Sequence, residues 1–411
     1  MDSVSNPYTP NAGASPDIVV GREEQIRTFE TLLRRLARGR THQSMIITGL
    51  RGVGKTVLLN EFGDIARAER WEVIELEASK HDDARFRQTM ASLLKAALLR
   101  LSPRAKWTDR ARRAASVVTS FALSVDQQGT WSLAWDVEPE EGFADHGDLG
   151  LDLTDVLVAI GEIAQERERG IAILIDEVQF LTARQLEALI QAIHKTVQRK
   201  LPVTFVGAGL PQISELAGDA KSYAERLFQF PKIDSLDEHD AAEALTEPAN
   251  GEGVEYEPDA VALAVEITKG YPFFIQELGY QVWEIAERSP ITRDDIETAR
   301  EGYEAKLDSS FFRVRLDRAT PLQTAYMRAM AELGPDAQKA ADVARIMGRE
   351  STQLGPTRAE LIDMGLLYTP EHGYAAFTVP DFDKFMVRAV PTLVVPEVQK
   401  RRKKRRADDA G

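Results

Sequence analysis

"GLRGVGKT", Gly49 to Thr56, follows the apolar run "SMIITG" and precedes "VLLNEFGDIARAER", whose apolar residues recur at helical spacing. Small residues between a strand and a helix let backbone N–H groups turn inward and cradle phosphates at the helix N-terminus. This reading places the backbone of Gly49, Gly52, Val53, Gly54 and Val57 around the phosphates. Lys55 reaches the β- and γ-phosphates, and the Thr56 hydroxyl is a ligand for Mg²⁺. The open question is whether such a chain spends its nucleotide or holds it.

Further along, "IAILIDE" (171–177) has five apolar residues ending in two carboxylates. As a central parallel strand it delivers Asp176 to the carboxyl edge of the sheet, where such sheets bind ligands. Asp176 is the second Mg²⁺ ligand, and Glu177 beside it is placed to orient or deprotonate a water. Two adjacent carboxylates suit a hydrolase better than a nucleotide kinase, which has no need to activate water.

"WEVIELEA" (71–78) and "PVTFVGAG" (202–209) read as further strands, alternating with helices such as "REEQIRTFETLLRRLARG" and "ARQLEALIQAIHKTV". The alternation predicts an α/β core with a parallel sheet covered on both faces. Residues 17–232 form this core, after a polar leader at 1–16 expected to be flexible. An irregular acidic insertion is expected at 102–150. Within Asp136–Asp155 there are eight Asp or Glu and no Lys or Arg, an exposed acidic loop or a docking segment for a basic partner. Strands cease after about residue 233, and four helical stretches make an all-helical lid at 233–305. From about 318 come three helical stretches and two short strands around "TPEHG".

The chain has 411 residues, a net charge of −14, and no cysteine, which removes disulfides, thiolate catalysis and zinc fingers. No apolar stretch approaches the roughly 18 residues of a membrane span, and no signal-peptide pattern is present, so a cytoplasmic location without membrane contact is expected. "KRRKKRR" (400–406) concentrates seven positive charges in a tail, 391–411, expected to be disordered. The remaining body is more acidic still, which argues against a broad nucleic-acid-binding face. His146, His194 and His372 show no ligand spacing for a metal other than Mg²⁺.

On these two motifs, with "IVVGREEQI" (18–26), "YAERLF" (223–228) and "KGYPFFIQELG" (269–279), the chain resembles the AAA+ and STAND ATPases over most of residues 17–390. It looks closest to the branch holding the origin-recognition initiators and the archaeal-type ATPases. The resemblance implies ATP/ADP with Mg²⁺, adenine packed on Val20, Gly21 and Arg22, and Pro272 of the lid against the nucleotide. The plain alternative for Pro272 is a helix start followed by a buried aromatic pair. It also implies that Arg226 reaches a neighbouring subunit's nucleotide in a homo-oligomer; the alternative is an arginine paired with Glu225 or another carboxylate.

Two departures point away from fast hydrolysis. The strand end "VGAG" (206–209) offers no polar sensor, Thr204 lying earlier in the strand. Phe273 stands where AAA+ lids often carry an arginine. Slow or partner-stimulated turnover, controlling assembly or engagement of a protein partner, is the resulting expectation.

Residues 306–390 resemble a winged helix-turn-helix, the module the initiator relatives use on DNA. The rival reading is therefore a DNA-binding initiator-like or recombination-helper ATPase. The module carries eleven basic and eleven acidic residues. Its recognition helix offers Gln353, Thr357 and Arg358, but also Glu360 and Asp363, beside bases. Arg345, Arg349 and the basic tail remain for phosphates of duplex DNA.

Overall fold

A computed structural model describes residues 1–11, 13–14, 16, 18–123 and 137–397, so the basic run 400–406 and Asp136 lie outside the described residues. The chain divides into two compact units, Met1–Tyr303 and Glu304–Gly411. No helix among the described residues is long and apolar enough to cross a membrane.

The first unit is built on five parallel strands: β1 (Ser44–Thr48), β2 (Glu72–Glu77), β3 (Ile171–Asp176), β4 (Val203–Gly209) and β5 (Phe228–Gln229), in the order β2-β3-β4-β1-β5. β1 and β4 are buried at every position and β3 at all but Asp176, as expected where helices cover both faces. The register pairs Thr48 with Gly209, Ile175 with Gly207 and Glu77 with Asp176. The carboxyl ends of β1, β3 and β4 thus lie side by side. Thr204 is fully buried inside β4, its hydroxyl 3.0 Å from that of Ser44.

The covering helices are α1 (Glu23–Ala37), α2 (Lys55–Ala68), α3 (Asp83–Leu101), α4 (Asp109–Leu123), α5 (Leu149–Glu166), α6 (Ala183–Gln198), α7 (Ile213–Ala220) and the one-turn α8 (Ala224–Leu227). α1 buries Phe29, Leu32, Leu33 and Leu36, and Phe29 stacks on Phe62 of α2.

The expected irregular insertion at 102–150 contains an ordered core helix instead. α4 buries Ala111, Ala114, Ala115, Val117, Val118 and Phe121 between α3 and α5, its small side chains allowing close approach. Arg87 of α3 and Asp152 of α5, both buried, form an ion pair at 2.8 Å, with Arg87 over the Phe121 ring. Most of the acidic stretch is also used internally. Asp148 caps α5, Asp152 and Asp155 belong to α5, Asp145 accepts from the Gly142 N–H, and Glu140 pairs with Arg113. Asp155 also accepts from Ala144 and meets His146.

A helical layer follows: α9 (Glu238–Gly251), α10 (Pro258–Thr268), α11 (Pro272–Ile285) and α12 (Arg293–Lys306), with Trp283 and Phe274 fully buried. The leader, expected to be loose, is docked on it through residues 2–9. Trp283 donates to the Asp2 carbonyl, Asn6 to the Tyr280 carbonyl, and Gln276 accepts from the Thr9 N–H. Tyr8, 1% exposed, packs against Gly279 of α11, donates to the Leu245 carbonyl and meets the Tyr256 hydroxyl at 2.8 Å. Buried Tyr8, packed against the bare surface of Gly279, anchors a segment whose composition reads as linker.

The second unit contains α13 (Arg313–Leu316), α14 (Pro321–Leu333), β6 (Gln338–Lys339), α15 (Ala340–Ile346), α16 (Ser351–Asp363), β7 (Leu367–Tyr368), β8 (Tyr374–Phe377) and α17 (Phe382–Ala389). The strands form a small antiparallel sheet in the order β6-β8-β7. Phe312, Phe382 and Phe385 pack ring on ring in its core.

Candidate nucleotide site

The loop between β1 and α2 is held by its carbonyls, one after another. Lys55 Nζ donates to the carbonyls of Gly49 (3.1 Å) and Leu50 (2.7 Å). The Tyr271 hydroxyl donates to Arg51, the Phe273 N–H to Gly52 (3.2 Å), and Arg22 Nη2 to Val53 (3.1 Å). The Gly54 carbonyl accepts the Leu58 N–H of α2. Six consecutive carbonyls, Gly49 to Gly54, are therefore held by donors. The N–H groups of Gly52, Val53 and Gly54 have no hydrogen-bond partner among the described residues. Consecutive unpartnered N–H groups at a helix start are an anion cradle, and buried ones call for an acceptor.

Two glycines make this path possible. Gly52 has φ +85° and Gly54 φ +92°, left-handed conformations that side chains resist. A Cβ on Gly52 would also come within 3.1 Å of both Tyr271 and Phe273.

Lys55 is buried, and burial lowers its pKa to about 8 despite the nearby Glu177 and Asp176. A desolvated ammonium with only carbonyl partners suits a polyanionic ligand. On the opposite side the Thr56 hydroxyl donates to Asp176 Oδ2 at 2.5 Å, and the Glu177 N–H donates to Asp176 Oδ1 at 2.7 Å. Burial raises the pKa of Asp176, a cost that a divalent cation would reverse. A hydroxyl and a carboxylate, both oxygen donors beside the cradle, fit Mg²⁺.

Glu177 caps a short turn at φ +53° and stands 3.5 Å from Arg51 of the loop. Its other carboxylate oxygen accepts from Gln179 Nε2. Neither Arg51 nor Gln179 carried a signal in the sequence, since both sit in loops without periodicity.

The other expected residues fall into two groups. Of Val20, Gly21, Arg22 and Pro272, Arg22 reaches the loop with its own side chain. Arg22 spans from Val53 to the Asp234 carbonyl, and its burial lowers its pKa. Gly21 has φ +69° and fits closely against Asp240. Pro272 is the first residue of α11, between Tyr271 and Phe273, which hold the loop. The helix start is what the backbone shows at Pro272. Val57 lies in the first turn of α2. Arg226, in contrast, is exposed on α8, and its side chain makes no ion pair with Glu225 or any other described residue.

Residues 18–206 match the family model described as the AAA ATPase domain, and residues 309–386 match a domain of unknown function, DUF8462. The first stretch is a P-loop ATPase domain of the AAA+ type. Among solved structures, the chain is similar to a Walker-type ATPase of Pyrococcus abyssi at 16% identity and TM-score 0.56, covering 90% of this chain and 97% of that one. It also matches the Aeropyrum pernix ORC1 protein solved with DNA, at 16% identity and TM-score 0.45, over 91% of this chain and 94% of that one. The Thermotoga maritima RuvB Holliday junction branch migration motor matches at 16% identity and TM-score 0.44, over 88% and 94%. No curated protein sequence matches.

Proposed function

We propose that this chain binds ATP between its parallel-sheet core and its helical lid and hydrolyses it slowly, or on a partner's stimulus, to control assembly or partner engagement. The observation that carries the reading is the loop whose outward carbonyls are held while the N–H groups of Gly52, Val53 and Gly54 stay unpartnered. Two of those donors, Tyr271 and Phe273, come from the lid. Nucleotide occupancy of the loop is thereby coupled to the position of α11, an ordinary hinge device.

In this reading Lys55 and the loop N–H groups bind the phosphates, and Thr56 and Asp176 hold Mg²⁺, which when bound neutralises charge on the phosphates. Glu177 orients or deprotonates the attacking water. Val20, Gly21, Arg22 and Pro272 face the base and sugar. Arg226, exposed and without a carboxylate partner, is available to a neighbouring copy's phosphates, a contribution worth about 10³ to 10⁵ in rate elsewhere. Residues 306–390 are read as a winged helix-turn-helix.

The DNA-binding alternative loses support at α16. Thr357 is buried, and Arg358 donates to the Thr369 hydroxyl and the Tyr374 carbonyl. Gln353 accepts from the Glu350 N–H at the start of the helix.

Steady-state ATP hydrolysis across a protein concentration series, with and without duplex DNA, tests the reading. The expected result is a rate per subunit that rises with concentration and collapses in Arg226→Ala. Tight ATP binding with a flat, near-zero rate would leave a nucleotide-held switch instead.

A further inference from the structure

β4 ends in Gly207-Ala208-Gly209, with no polar side chain at the place nearest the site. Its backbone nevertheless ends in a buried donor, the N–H of Leu210, and that donor is used. Gln179, from the turn after β3, brings its Oε1 to the Leu210 N–H at 3.1 Å while its Nε2 donates to the Glu177 carboxylate. The two bonds fix the amide orientation. Turned over, it would set an acceptor against a carboxylate and a donor against an N–H. Glutamate at 179 would place like charge on Glu177, and leucine would make neither bond.

Gly209 leaves the space this side chain needs, and Gly207 the space for the neighbouring Val178. A Cβ on Gly209 would lie 2.7 Å from Gln179 Oε1 and 2.9 Å from Val178 Cγ2. One on Gly207 would lie 3.1 Å from Val178 Cγ1. The Gly209 carbonyl accepts the Gly49 N–H at 3.2 Å, so the same strand end is tied to the start of the phosphate loop. The contacts close a ring: Gly49 to Gly209, Leu210 to Gln179, Gln179 to Glu177, and Glu177 to Arg51 of the loop.

We propose that Gln179 is the positioning residue for Glu177, holding its carboxylate against the end of β4 in place of a polar side chain on that strand, with Gly209 as its seat. The proposal rests on the reading of Glu177 as the water-activating group. Without Gln179 the remaining tether among the described residues is Arg51 of the loop, and the carboxylate swings toward it. A misplacement of about 1 Å costs on the order of a hundredfold in rate.

The test joins crystallography to kinetics on the full chain. Crystal structures of the wild type and of Gln179→Leu locate the Glu177 carboxylate. Single-turnover hydrolysis and equilibrium ATP binding are measured for both, and for Gly209→Ala, Glu177→Gln and the double variant Glu177→Gln/Gln179→Leu. The carboxylate is expected to move off the Leu210 edge in Gln179→Leu. The rate is expected to fall between about tenfold and a hundredfold in Gln179→Leu and Gly209→Ala, with ATP affinity within about twofold of wild type. The double variant falls no further than Glu177→Gln alone, as for residues acting through one group.

An unmoved carboxylate in Gln179→Leu, or a loss confined to ATP affinity, overturns the proposal. If Glu177→Gln keeps the wild-type rate, the hydrolytic reading fails. The crystallographic arm then still decides whether Gln179 positions the carboxylate.

Discussion

Lys55 carries a proton equilibrium that reports on the ligand directly. Its ammonium is desolvated, which lowers its pKa to about 8, so toward alkaline pH the unliganded molecules increasingly hold it neutral. Phosphates beside it favour the charged form, so ATP binding raises the pKa and takes up a proton. Calorimetry in buffers of different ionisation enthalpy should read a proton uptake at about pH 8 and above that fades as pH falls toward about 6.5, where the lysine is charged. Lys55→Met should abolish the uptake and weaken binding at least tenfold. A pH-independent wild-type signal would place the phosphates away from this side chain. Lys55, Thr56, Asp176 and Glu177 were legible because each sits at a strand end or helix start fixed by the apolar runs around it. Gln179 and Arg51 were not, because their partners are brought by the turn after β3 and the path of the loop, and neither leaves a spacing.

At the scale of the element, α11 joins two contacts: its N-terminal end holds the phosphate loop, and its outer face carries residues 2–9. Gly279 is the close point, since a Cβ there would lie 2.5 Å from the Tyr8 ring. Gly279→Ala favours the helix by propensity, about 1 kcal/mol, so any loosening it causes is steric. Overpacking costs about 1–3 kcal/mol, and hydrogen exchange in residues 2–9 and along α11 should accelerate accordingly. Unchanged exchange would mean that the leader does not brace the lid. The composition of residues 1–16, rich in Pro, Asn and Gly, concealed this docking, because a single buried tyrosine anchors it. α4 was hidden for the opposite reason: its buried face is mostly Ala, Ser and Val, too weakly apolar to stand out in "DRARRAASVVTSFAL". That helix layer holds the Arg87–Asp152 pair. Asp152→Asn should cost about 3–5 kcal/mol in denaturant unfolding, since it leaves a buried guanidinium without its carboxylate. A loss under 1 kcal/mol would show that water reaches the pair.

For the whole molecule the contested property is contact with duplex DNA. A parallel sheet and the sequence of core, helical layer and C-terminal helices with a small sheet were foreseeable from alternating and then purely helical periodicity; the strand order β2-β3-β4-β1-β5 was not. The suitability of α16 for reading bases was not, because that depends on which side chains the second unit consumes internally. Arg358 is spent on Thr369 and Tyr374, and Thr357 on the core. With eleven charges of each sign between 306 and 390, the concentrated positive field left in the sequence is "KRRKKRR". Any retardation of duplex DNA by the full chain should therefore be independent of DNA sequence. It should weaken with salt with a log–log slope no steeper than about −6, the limit for seven phosphate contacts at about −0.9 each. Replacing the seven basic residues by glutamine should abolish it, while Gln353→Ala should leave it unchanged. A sequence-specific footprint that survives neutralisation of the tail would instead place base recognition on the folded unit and restore the initiator-like reading.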